Sequence, residues 1–225
     1  MMWSDNATSI PTPNEVTTPT VGEDVALGLY IALIFLLECA IFEAFSWEAV
    51  RELWRQKGGV SLYVQAIASV LFNMLVITPA IVVASRPFMS DVLHSPAVRF
   101  SHVVIGVIVH SIGYYFTHRA MHTPALYWCH RFHHRFNKHI CPVAANAVTP
   151  VEFVIAYACP FVLGAYLFSP DRQTARLLTH VIGFCNLCIH TPKLEGIAAK
   201  HCPVWLVGTH DHFAHHRRLV MNYGA

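Results

Sequence analysis

Charge is scarce in this sequence: Asp, Glu, Lys and Arg together supply 12% of its 225 residues, about half the share of an ordinary soluble domain. With 55% hydrophobic residues and a mean hydropathy of +0.45, that scarcity points to the bilayer. The formal charge of +2 is small and the basic residues are scattered, so no nucleic-acid partner is expected. The first 24 residues contain no Lys or Arg; without a basic start, and with an overlong first apolar run, they are not a secretory signal. Cysteine offers no disulfide framework, since seven is an odd number without regular spacing. Cys185 and Cys188 form a C-x-x-C inside an apolar run and read as two small buried hydrophobes, not a redox or zinc pair. Neither a haem-binding module nor a nucleotide-binding glycine loop is visible. Histidine is absent before His94, yet 16 are present in the chain.

Length allows one domain. Residues 1–24, rich in Thr, Pro and Asn, read as a disordered tail. Five apolar runs follow: Val25 to Phe45, Leu62 to Ser85, Val103 to Thr117, Val151 to Phe168 and Thr174 to Ile189. About 20 such residues cross the hydrocarbon core as a helix. Glu38 and Glu43 interrupt the first run, while Asn73 and Pro79 are tolerated in the second. The third run is short enough to be re-entrant. Ser169-Pro170-Asp171 turns the fourth into the fifth as a helical hairpin. The expected fold is all-α, a polytopic membrane helical bundle of about four to five transmembrane helices. Residues 25–100 form its amino-terminal helices, and residues 101–225 carry the chemistry.

That chemistry lies in three histidine clusters. They are His118-x-x-x-His122, His130-x-x-His133-His134 and His212-x-x-His215-His216. Residues three and four apart share one helix face, so each cluster aims two or three imidazoles at one point. Eight imidazoles are too many for one ion, because zinc sites take three or four. Two metals are implied, with an all-nitrogen ligand set, since the clusters themselves contain no carboxylate. Spacing does not select the ion: imidazole suits Zn, Cu, Fe and Ni. His190 ends the fifth run and is a ninth candidate ligand, with Asn186 one turn before it and His210 a weaker candidate. Asp211 is a candidate acceptor for a ligand's second ring nitrogen. His94, His102, His110, His139 and His180 are expected to be core residues instead.

These motifs resemble the sterol desaturase and fatty acid hydroxylase superfamily of membrane di-iron, histidine-box enzymes. The likeness rests on His118-x-x-x-His122, on Leu126-Tyr-Trp-Cys-His130-Arg-Phe-His133-His134, and on His212-Phe-Ala-His215-His216 followed by Asn222-Tyr223-Gly224. It covers roughly residues 100–225. The resemblance implies two iron ions, with zinc as a possible substitute, and O₂ as co-substrate. It implies hydroxylation or desaturation of a sterol or fatty acyl C–H bond, and electrons from cytochrome b5 with its reductase. It also implies an endoplasmic reticulum address in a eukaryote, and it strengthens His190 as a metal ligand. Asn186 stands where some members carry histidine. Members continue beyond the Asn-Tyr-Gly segment, so a longer native polypeptide is expected.

The competing reading is a membrane metal-binding or transport protein, but a transporter sets its ligands along a path through the spans. Charge sets the orientation. Placing the clusters on one side collects Arg51, Arg55, Lys57, Arg119, Arg131, Arg135, Lys138, Lys193, Lys200, Arg217 and Arg218 there. Arg86, Arg99, Arg172 and Arg176 are left opposite. The site is therefore expected to face the cytoplasm and the tail, with its Asn6-Ala7-Thr8 sequon, the other side.

Overall fold

The first helix starts where Thr20 and Glu23 cap it reciprocally. Thr20 Oγ1 accepts the Glu23 amide at 3.3 Å, and Glu23 Oε2 accepts the Thr20 amide at 2.6 Å. This capping box begins α1 (Val21–Phe45) ahead of Val25, so residues 21–24, expected in the tail, are helical. The computed structural model describes residues 19–203 and 206–224. Residues 1–18 of the expected tail, with its Asn6 sequon, lie outside the described residues.

A short amphipathic helix, α2 (Trp47–Arg55), follows, and Gly58 at φ 77° turns the chain back. α3 (Gly59–Phe88) is one rod with a π turn at Asn73–Ile77 just before Pro79. There Thr78 bonds the Asn73 carbonyl twice, through its backbone N–H and through Oγ1 at 3.0 Å. α4 (Pro96–Met121) is longer than the third apolar run predicted: Ser95 caps it and Pro96 occupies its first turn. It is a full-length helix, not a re-entrant one. α5 (Tyr127–His130) is a single turn. α6 (Pro150–Phe168) has a π turn, Phe153–Ala158, ahead of Pro160. Ser169 at φ 45°, Pro170 and Asp171 reverse the chain into α7 (Arg172–Ile189). α8 (Glu195–His201) and α9 (Thr209–Arg218) complete the described helices.

The result is an all-α polytopic membrane bundle. α1, α3, α4 and α6 are each long and apolar enough to cross a membrane. α7 carries Arg172, Gln173, Arg176 and His180, so it is not among those four, but it packs back against α1 and α4. Leu29, Leu33, Leu37 and Ile41 expose a stripe along α1, and Ile105, Ile108, Ile112 and Phe116 another along α4. Such stripes suit lipid and not water. At the end away from the histidines, buried Asp24 accepts from Arg172 and lies 3.6 Å from Arg86.

Beneath the histidines, residues 140–148 form a buried stretch built on the 3₁₀ turn Pro142–Asn146. The helices satisfy its backbone with side chains. Glu43 Oε1 accepts the Val143 amide at 2.5 Å. Tyr157 and Asn186 donate to the Ala145 carbonyl at 3.1 and 2.9 Å. Ser69 and Asn73 donate to the Val148 carbonyl at 2.5 and 3.0 Å. This explains polar residues that looked out of place in apolar runs, because irregular backbone at membrane depth must find partners within the protein.

Candidate metal centre

The histidines arrive from four places in the fold. α4 delivers His118 and His122 one turn apart at its end. α5 carries His130, and the 3₁₀ turn His133–Arg135 adds His133 and His134. His190 caps the carboxyl end of α7, and α9 supplies His212, His215 and His216. All nine meet at one end of the bundle, and all but the half-buried His122 are buried.

They divide into two groups: His118, His122, His130, His134 and His215 in one, and His133, His190, His212 and His216 in the other. Within each group the candidate nitrogens lie within 4.8 Å of one another. His118 Nε2 sits 3.0 Å from His130 Nε2, 3.1 Å from His215 Nε2 and 3.3 Å from His122 Nε2. His134 Nε2 is 2.8 Å from that of His130. In the second group, His212 Nε2 is 2.9 Å from His190 Nε2 and 3.1 Å from His216 Nε2. The groups abut: the His134 and His216 ring centroids are 4.9 Å apart, and those of His130 and His133 5.3 Å.

The far sides of the rings decide what those nitrogens are. His118 Nδ1 donates to the Tyr223 carbonyl at 2.8 Å, His215 Nδ1 to Met221 at 2.6 Å and His190 Nδ1 to Asn186 at 2.8 Å. His130 Nδ1 donates to Glu152 Oε1 at 2.6 Å. A carbonyl acceptor fixes the proton on Nδ1 and leaves Nε2 an unprotonated lone pair. Converging lone pairs repel each other unless a cation lies between them. Their spacing suits one, since neighbouring ligands at metal–nitrogen bonds of about 2.0–2.1 Å sit about 3 Å apart. Burial also keeps the rings neutral. Loss of hydration pulls His122 and His190 down to about 4 and His130 to about 2. It carries His133, His134, His212 and His216 below the usual imidazole range too. The donor set fits two transition-metal ions.

Several expectations change. Asp211 does not reach a cluster ring: its Oδ2 accepts the Gly208 amide at 3.2 Å, capping α9, and lies 3.3 Å from His210 Nε2. His210 stands outside both groups. Asn186 acts through its backbone, by holding His190, while its side chain binds Ala145. His94, His102, His139 and His180 stay out of the groups but are not core residues either; of the five expected there, only His110 is buried. Cys185 is exposed and Cys188 half-buried, so that pair is not buried as expected. The sequence reading missed Glu152 and the Met221 and Tyr223 carbonyls. Glu152 did leave a signal, an acid at the start of an apolar span. The carbonyls left none.

Comparison with known proteins agrees with this geometry. The profile of the fatty acid hydroxylase family matches residues 103–225. A Delta(7)-sterol 5(6)-desaturase of Candida dubliniensis is 32% identical over 114 residues, which is 50% of this chain and 28% of that protein. The chain thus spans less than a third of the length of that relative. No solved structure matches. Because the family profile covers more than half of the sequence and includes every histidine of the two groups, the chain belongs to the fatty acid hydroxylase family.

Proposed function

We propose that this chain is a membrane di-iron oxygenase that hydroxylates or desaturates a lipid C–H bond at the expense of O₂, with a sterol favoured over a fatty acyl chain. The observation that carries this reading is the convergence of nine neutral imidazoles, in two abutting groups, at the end of an apolar bundle. The family match supports lipid oxidation, and the desaturase relative supports a sterol. A metal-transport reading finds no support, because the histidines stand together at one end instead of along a path.

His118, His122, His130, His134 and His215 would hold one ion, and His133, His190, His212 and His216 the other. The chemistry that bound iron supplies is O₂ activation and attack on an unactivated C–H bond, which no side chain here can perform. The chain's own residues orient and exclude. Glu152, Tyr223, Met221 and Asn186 fix four imidazoles by their Nδ1 protons. The buried stretch below the site, with Tyr157 and Asn186 bound to it, keeps the membrane side of the site packed against water. Electrons come from a donor such as cytochrome b5 with its reductase. The site faces the cytoplasm, at the endoplasmic reticulum in a eukaryote, a placement supported by the basic residues at the histidine end.

Protein purified after growth with iron should contain two metal ions per chain with nitrogen ligation by X-ray absorption. It should oxidise lipid only when O₂ and an electron donor are both supplied. One ion per chain, or sustained turnover without a donor, contradicts the reading.

A further inference from the structure

A cavity of about 530 Å³ lies between α1, α3, α6 and α7, away from the nitrogen clusters. Ile34, Phe35, Ile81 and Phe161 give it an apolar wall, Gln173, Arg176 and the paired Glu38 and His180 also line it, and its size is that of a small-molecule site. Its end nearest the histidines is different. Asn146 and Asn186 line it there, each only 4% exposed, and the Oδ1 of each has no hydrogen-bond partner among the described residues. Asn186 Nδ2 is committed to the Ala145 carbonyl at 2.9 Å, which leaves its oxygen as the free atom of that amide. Buried amide oxygens are costly to leave unmet. Two beside one cavity offer paired acceptors to an occupant that brings a donor.

We propose that this cavity binds a lipid alcohol, with its apolar body between α1 and α7 and its hydroxyl donating to the Asn146 and Asn186 oxygens. At the two asparagines an ionised carboxylate offers only acceptors and a hydrocarbon end offers nothing, while Arg176 lies ten residues away along α7 from Asn186. An alcohol supplies the donor without carrying charge into the membrane. Asn186 also holds His190 through its backbone carbonyl, so the hydroxyl end lies about one helical turn from the second histidine group. The carbons next to the hydroxyl are then the part of the ligand nearest the metal end. This deepens the lipid-oxidation reading and rests on it for its meaning, but binding is measured without turnover.

The experiment uses the full chain in lipid nanodiscs. Affinities are measured for cholesterol against its methyl ether and for octadecanol against its methyl ether. The pairs separate a rigid sterol from a flexible chain as the source of the hydroxyl. In at least one pair the alcohol should bind about tenfold tighter or more, since the ether strands the buried acceptors. Asn146→Leu should bring that ratio toward one with metal content unchanged; Asn146→Ser serves if the leucine variant does not fold. Ile34→Trp, which fills the cavity, should weaken both members of the pair. Equal affinities in both pairs would show that water satisfies the amides, and would overturn the proposal. So would a ratio that survives both Asn146→Leu and Ile34→Trp. Alcohol selectivity retained in protein that oxidises no lipid would support this site while removing the proposed reaction.

Discussion

His133 and His215 belong to different groups, which makes their losses separable. His133→Ala should lower metal content at one site and His215→Ala at the other, and each should cut lipid oxidation more than about 100-fold. His94→Ala should leave metal content unchanged, because that ring lies beside Asp171, away from the groups. Element analysis beside turnover checks all three. Glu152 touches His130 and not the metal position, so Glu152→Gln should weaken metal affinity about 10- to 100-fold without abolishing binding, read by chelator competition. Acid should act through the same rings. Folded His122 and His190 titrate at about 4, whereas unfolded histidine does so near 6.5. Between those values the unfolded chain binds more protons, so stability falls as pH drops from about 6.5 toward 4. Metal-free protein should show a falling melting temperature across that window. A flat profile there would contradict the buried, neutral assignment.

At the scale of elements, close helix contact depends on Gly28 and not on Gly196. A Cβ on Gly28 would lie 2.4 Å from Pro79 Cα, where α1 crosses α3. Gly28→Leu should therefore cost about 1–3 kcal/mol, measured by thermal unfolding in detergent. Gly196→Ala in α8 meets nothing within 4 Å and should be neutral or slightly stabilising. Much of this level was legible in the sequence. The apolar runs located the spanning helices, and Ser169-Pro170-Asp171 marked the hairpin turn. The start of α1 was not legible from hydropathy, because polar Thr20 and Glu23 set it. Likewise α4 outran its apolar run, since Ser95 and Pro96 decide where it begins. The histidine spacing showed only part of which rings would meet: the i, i+4 pairs His118/His122, His130/His134 and His212/His216 stay together, but His133 and His215 leave their own clusters for the other group, so a cluster does not aim all its rings at one point. The supports of those rings were hidden. Glu152 lies 22 positions from His130, and Tyr223 lies 105 from His118 and contributes only backbone.

For the whole molecule, the bundle fixes which ends share a side. The histidine end gathers the carboxyl ends of α1, α4 and α7, while Asp24, Arg86 and Arg172 meet at the other. With the histidine end cytoplasmic, a tag at Met1 should resist protease in sealed microsomes and one after Ala225 should be cleaved. The reverse pattern would overturn the orientation. Both tags on one side would mean an even number of crossings, and α7 would be the helix to re-examine.

The 105 positions between His118 and the carbonyl that holds it also set a clock. At ribosomal speeds of about 5–20 residues per second, the first ring waits roughly 5–20 s for that partner to be made. During that interval the early histidines are exposed to whatever cation is at hand, and zinc and copper outcompete iron for imidazole. If an ion binds before that partner is made, the relative supply of ions around the nascent chain should set which metal the finished protein carries.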